Sequence, residues 1–236
     1  YSMDRREKTR VMTEGLLELT EHHRSRCEDY RRIVDGLGYD PKNIRDYYDI
    51  PMMPVRLFKE RELKSINDDQ IFKTMTSSGT TGQQVSKIFR EEETAASQQL
   101  ALEEIVGSYT GKSRLPMIII DCPSVIRNRA MFSARGAGIL GFSIFGSRRI
   151  YALDDDMNLN IDGIREFLEK HKGERILLFG FTFMIWQYFY RELLKLSEPL
   201  DLSNGILIHG GGWKKLQNEA VSKEEFKARL REVCGI

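Results

Sequence analysis

The densest group of chemistry-bearing residues is Thr74-Met75-Thr76-Ser77-Ser78-Gly79-Thr80-Thr81-Gly82-Gln83-Gln84-Val85-Ser86-Lys87. Seven consecutive positions, Thr76 to Gly82, hold only Ser, Thr and Gly. Their hydroxyls and backbone N–H groups are donors that suit a phosphate chain. Glycine permits positive φ and close approach of backbone to ligand, and Lys87 offers a cation for the same charge. A surface turn draws on the same residue types, but a strand delivering so long a run favours phosphate binding. The loop is not a Walker A motif, which places Gly-Lys-Ser/Thr five residues after its first glycine. Gln84 stands at that distance from Gly79.

Other groupings carry less. Gly136-Ala137-Gly138-Ile139-Leu140-Gly141 matches G-x-G-x-x-G in form, but the dinucleotide fingerprint needs a strand before it and a helix opening at it. Here a helical segment precedes it, so the glycines read as close packing of a helix on a sheet. His209-Gly210-Gly211-Gly212 resembles a lipase oxyanion loop, yet no G-x-S-x-G elbow occurs anywhere in the chain. His22 and His23 are neighbours facing different directions on a helix, a poor metal pair. Asp154-Asp155-Asp156 reads as a solvated loop, and Trp186, Tyr188, Phe189 and Tyr190 as one core helix face.

Elements must hold the loop in place. A long helix is expected from about Arg5 to Asp35, then an irregular connection marked by Pro41, Pro51 and Pro54. A strand over Ile71 to Met75 leads into the loop, and a helix follows from Glu91 to about Tyr109. Beyond it strands and helices alternate. Strands are expected at Pro116–Asp121, within Ile144–Leu153, at Arg175–Phe179 and at Gly205–His209. Helices are expected over Asn128–Leu140, Ile161–His171, Phe183–Leu196 and Ser222–Val233. This alternation implies an α/β fold, a mostly parallel sheet flanked by helices.

The 236 residues can bury a substantial core. Hydrophobic residues make up 41% and charged residues 30%, an ordinary balance for a globular protein. A formal net charge of +1 leaves no footprint for nucleic acid or anionic membrane. No apolar run reaches the ~20 residues that span a bilayer, and Tyr1 to Arg10 lacks the apolar segment of a secretory signal. Cys27, Cys122 and Cys234 form neither a disulfide framework nor a zinc pattern, so a reducing, cytoplasmic setting is expected.

The Ser/Thr/Gly loop resembles the phosphate-binding signature of the acyl-adenylate-forming superfamily, which includes acyl-CoA synthetases, firefly-type luciferases and peptide-synthetase adenylation domains. Two further segments narrow the likeness: Ile50-Pro51-Met52-Met53-Pro54-Val55-Arg56-Leu57-Phe58-Lys59, and His209-Gly210-Gly211-Gly212-Trp213-Lys214-Lys215-Leu216 followed by Val221-Ser222-Lys223-Glu224-Glu225-Phe226. Both resemble the bacterial bioluminescence acyl-protein synthetases, the long-chain-fatty-acid–luciferin-component ligases. The resemblance implies an N-terminal helical segment over 1–47 and an adenylate-forming core over 48–236. It implies acyl-AMP formation from ATP and a fatty acid with Mg2+, then acyl transfer to a protein cysteine and on to a partner acyl reductase.

By the same resemblance, Ser77, Ser78, Thr80, Thr81 and Lys87 would grip phosphates, with Gly79 and Gly82 shaping the loop. Gly210, Gly211 and Gly212 would lie beside the adenine, and Phe181 and Thr182 near the acyl pocket. The magnesium-holding acid, the ribose-binding Asp, the small C-terminal domain with its catalytic lysine and the acceptor cysteine are expected beyond Ile236. The chain thus reads as a fragment, with no metal ligand identified within it. An acyl- or aryl-CoA ligase shares the loop and stays open as an alternative, as does a degenerate nucleotide-binding or scaffold protein.

Overall fold

The computed structural model describes residues 3–76, 84–127 and 134–236. The chain forms two compact units, Tyr1–Leu102 and Glu103–Ile236.

The first unit opens with α1 (Arg5–Arg26), capped by the Asp4 carboxylate, which accepts from the N–H groups of Arg6 and Glu7. The single helix expected from Arg5 to Asp35 is broken: Cys27 is extended at φ −124°, ψ 106°, and α2 (Glu28–Gly36) starts anew. No Gly or Pro marks this break. Tertiary packing accounts for it, since Cys27 lines a small cavity of about 100 Å³ with His23, Tyr30, Met53, Phe58, Leu63 and Ser65. The strands β1 (Lys73–Thr76) and β2 (Lys87–Arg90) pair antiparallel, with Thr76 opposite Lys87. The Ser/Thr/Gly loop therefore joins two hydrogen-bonded strands. A long helix, α3 (Glu92–Thr110), follows.

The second unit is built on a four-stranded parallel sheet in the order β4-β3-β5-β6. In chain order come β3 (Leu115–Ile120), α4 (Ala134–Phe142), β4 (Gly146–Tyr151), α5 (Ile161–Lys170) and β5 (Ile176–Phe181). Then follow α6 (Thr182–Met184, a π-helical Ile185–Tyr190, and Arg191–Leu193), β6 (Gly205–Gly210) and α7 (Lys223–Cys234). Of the helix expected over Asn128–Leu140, residues 128–133 lie outside those described, and the described part runs on to Phe142.

Central parallel strands are covered on both faces and so read as unbroken apolar runs. Alternation still sorts their side chains. Ile118, Ile120, Ile176 and Leu178 pack with Ile164 and Phe167 of α5, Ile185, Trp186 and Phe189 of α6, and Phe226 and Leu230 of α7. Met117, Ile119, Leu177 and Phe179 face the other way, onto Ile139 and Phe142 of α4. Each fully buried Leu or Ile stabilises the fold by roughly 1.5–3 kcal/mol.

The connections set the direction of approach. From β3 the chain steps to β4 at one edge, crosses back over β3 to β5, and continues outward to β6. The winding direction therefore reverses between β3 and β5, whose register pairs Ile120 with Gly180.

Candidate functional site

In open α/β sheets ligands bind beyond the carboxyl ends of the strands, at the point where the winding reverses. Asp121 follows β3 at that point, and Phe181 with Thr182 closes β5. Gly210, Gly211 and Gly212 close β6 next door, where His209 and the three glycines are open to solvent.

Asp121 is fully buried. Its Oδ1 accepts the Cys122 N–H at 2.8 Å, and Arg135 Nε stands 3.1 Å from Oδ2 as an ion pair without hydrogen-bond alignment. Burial raises the carboxyl pKa, against the lowering effects of Cys122 and the Arg135 charge. Arg135 Nη1 also reaches to 3.6 Å from Met184 Sδ. Around Met184 gathers an apolar cluster with Cys122 and Leu153 buried and Phe181, Phe183 and Tyr188 packed against them. Sequence reasoning missed this acid–guanidinium pair. The available signal was a lone carboxylate closing the apolar run Met117-Ile118-Ile119-Ile120.

Phe181 and Thr182 act on the glycine turn. Gly211 adopts φ +75°, a left-handed conformation. A Cβ built on Gly211 would lie 2.9 Å from Phe181 Cδ1, and one on Gly138 of α4 would lie 2.9 Å from Phe181 Cζ. The Phe181 ring thus fills the space that both glycines leave open. Thr182 is buried; its Oγ1 lies 3.0 Å from His209 Nδ1, 3.1 Å from Gly210 O and 3.2 Å from Gly211 O. The His209 ring stacks on Phe226 with centroids 4.8 Å apart, and Phe226 in turn stacks on Trp186. The His209 residue keeps an exposed edge, but desolvation of its ring where it lies on Phe226, then the nearby Lys223 and Lys227, lower its pKa. A Cβ on Gly210 or Gly212 would meet nothing within 4 Å.

In the first unit, Ser77, Ser78, Gly79, Thr80, Thr81 and Gly82 lie outside the described residues. Lys87 opens β2, and its Nζ donates to Glu62 Oε1 at 2.8 Å, with both side chains about half exposed. This contact holds the Glu62 carboxyl below its ordinary pKa. An exposed pair of this kind is readily exchanged for a more highly charged partner.

The remaining groupings are structural. Asp154 Oδ1 accepts from the N–H groups of Asp156 and Asn158, and Asp155 accepts the Ser124 N–H. Asp154 thereby closes the loop and Asp155 ties it to Ser124. Among the described residues no group of three or more His, Cys, Asp or Glu side chains is placed to hold a metal ion. All three cysteines are buried and free. Burial pushes the Cys234 thiol up to about 11, and its Sγ donates to Leu230 O at 3.2 Å. Among the described residues no helix is long and apolar enough to cross a membrane.

The family model described as acyl-protein synthetase, LuxE, matches residues 1–236. The chain belongs to the acyl-protein synthetase family. It is similar to the long-chain-fatty-acid–luciferin-component ligase of Vibrio harveyi, 24% identical over 224 residues, covering 90% of this chain and 55% of that protein. The protein of the same name from Aliivibrio fischeri is 23% identical over 222 residues, covering 88% and 54%. That of Photorhabdus luminescens is 33% identical over 76 residues, covering 32% of this chain and 65% of the relative. The chain thus spans about half the length of the first two relatives.

Proposed function

We propose that this chain supplies the nucleotide-binding part of a ligase that activates a long-chain fatty acid with ATP as acyl-AMP and then passes the acyl group to a protein thiol. The observation that carries this reading is the family match over residues 1–236. The printed name of the three relatives, a ligase of long-chain fatty acid and a luciferin component, supports the substrate class. In this reading the α/β fold, with its four-stranded parallel sheet, serves as the large N-terminal domain of an adenylate-forming enzyme.

In this reading Ser77, Ser78, Thr80, Thr81 and Lys87 hold the β- and γ-phosphates, with Gly79 and Gly82 shaping the loop. Lys87 leaves Glu62 to do so. The adenine rests against Gly210, Gly211 and Gly212, where no side chain obstructs it. The acyl chain enters beside Phe181 and Thr182, against the cluster around Met184. Attack of the carboxylate oxygen on the α-phosphorus forms the acyl–phosphate bond and expels pyrophosphate. Little covalent help is needed for such a step; positioning and charge stabilisation carry it. Magnesium is the cation suited to that charge, and among the described residues no group of three or more His, Cys, Asp or Glu side chains is placed to hold it. Three free, buried thiols suit a cytoplasmic protein.

The test is an intact-mass spectrum of the full-length protein after incubation with ATP and a long-chain fatty acid. A mass increase of one acyl group, reversed by hydroxylamine, is expected. An unmodified protein that also releases no acyl-AMP would overturn the reading, while acyl-CoA made on adding CoA, without acyl-protein, would assign a CoA ligase.

A further inference from the structure

The Thr182 hydroxyl has three polar atoms around it and only one proton to give. Gly210 O and Gly211 O, at 3.1 and 3.2 Å, can only accept. His209 Nδ1, at 3.0 Å, donates or accepts according to its tautomer. If Thr182 donated to Nδ1, both carbonyls would face the hydroxyl oxygen with lone pairs against lone pairs. The arrangement is satisfied throughout only when Nδ1 carries the proton and donates to Thr182 Oγ1, whose own proton is shared between the two carbonyls.

We infer that Thr182 is a positioning residue for nucleotide binding, acting through the Gly210–Gly211 turn, and that His209 in its Nδ1–H form is the donor that orients it. This deepens the adenylation reading and rests on its placement of adenine at the glycine turn. The chain of cause runs outward from the core. Phe226 stacking fixes the imidazole plane, the imidazole fixes the hydroxyl, and the hydroxyl fixes the carbonyls on either side of the left-handed Gly211. Phe181 blocks the same turn from collapsing toward α4. Two consecutive residues at the end of β5 thereby set a turn on β6. The assignment leaves His209 Nε2 as an acceptor.

Two measurements on the full-length protein test this. The first needs no activity: 15N spectra of the imidazoles above neutral pH should give His209 a pyrrole-type shift at Nδ1 and a pyridine-type shift at Nε2. The reverse pattern overturns the proposal. The second is pyrophosphate exchange with ATP and fatty acid varied separately. Thr182→Val and His209→Ala should each raise the KM for ATP roughly five- to tenfold, the size of a lost hydrogen bond; His209 is not among the residues beside the acyl chain, so its alanine variant should leave the KM for the acid unchanged. Thr182→Ser and His209→Asn, which keep the hydroxyl and the Nδ1-type donor, should restore the KM to within about threefold. His209 is open to solvent, so its alanine variant gives an answer even if Thr182→Val does not fold. An unchanged KM for ATP in either variant, a rise in the KM for the acid instead in His209→Ala, or no rescue by the conservative variants would overturn the proposal. An unsubstituted protein that neither binds ATP nor exchanges pyrophosphate would sink the adenylation reading and this role with it, and the tautomer spectrum would tell that failure from an error in the local geometry.

Discussion

Alanine at each of the three consecutive glycines Gly210, Gly211 and Gly212 separates what the turn does for the fold from what it does for the ligand. At Gly211 the cost is structural. The left-handed conformation at φ +75° costs a non-glycine residue roughly 1–2 kcal/mol. The added Cβ also lands 2.9 Å from the Phe181 ring, and overpacking of that kind costs roughly 1–3 kcal/mol. The ring cannot retreat toward α4, because its far edge already fills the gap over Gly138. Together these give roughly 2–5 kcal/mol, a fall of roughly 4–20 °C in the thermal midpoint at the scale of 2–4 °C per kcal/mol. Gly210 and Gly212 lack both features, with φ outside the left-handed region and nothing within 4 Å of a built Cβ. Their alanine variants should melt like the parent. If adenine lies against the turn, they should nevertheless lose ATP affinity, and titration calorimetry with ATP reads that loss. A Gly211→Ala protein as stable as the parent would refute the turn geometry. Gly210→Ala and Gly212→Ala proteins that bind ATP normally would refute the adenine assignment.

Two further expectations follow from burial. The His209 pKa is lowered, so the unfolded chain binds the proton more readily. The stability due to neutral His209 is present above its ordinary pKa of about 6.5 and is lost as pH falls toward the folded value. His209→Gln should flatten the fall in thermal midpoint from pH 7 to 5. Part of the slope should persist from His23, lowered by burial and by His22 and Arg26; an unaltered slope would contradict the assignment. Cys234 is held as a thiol near 11, far from the thiolate that acyl transfer needs. Cys234→Ala in the full-length protein should leave acyl-protein formation intact, and loss of the acyl adduct in a folded variant would identify it as the acceptor.

The strands of the parallel sheet were legible because apolar runs such as Met117–Ile120 and Ile176–Phe179 are bounded by turn residues, and both faces of such strands are covered. The glycines of α4 were also readable in kind: Gly138 admits the Phe181 ring, which is helix-on-sheet packing and no dinucleotide loop. What escaped depends on distant partners. Nothing local to Cys27 ends a helix; a break there buries its thiol against residues more than twenty positions on. The pairing of Asp121 with Arg135, and of Thr182 with His209, comes from strand order, which periodicity does not encode. The π-helical turn at Ile185–Tyr190 leaves no compositional mark, since its aromatic residues suit any buried helix face.

We propose that the loop between β1 and β2 grips the phosphates of ATP. Its most direct test is fatty-acid-dependent pyrophosphate exchange by the full-length protein carrying Lys87→Ala and Thr80→Ala together. Charge-assisted hydrogen bonds to phosphate contribute ~1.5–3 kcal/mol apiece, so losing both should lower exchange by roughly two orders of magnitude or more. Lys87 is about half exposed and paired only at the surface with Glu62, so the double variant should melt with the parent. Exchange reduced by that factor in a protein of unchanged thermal midpoint is the predicted result; undiminished exchange in the folded double variant would contradict it.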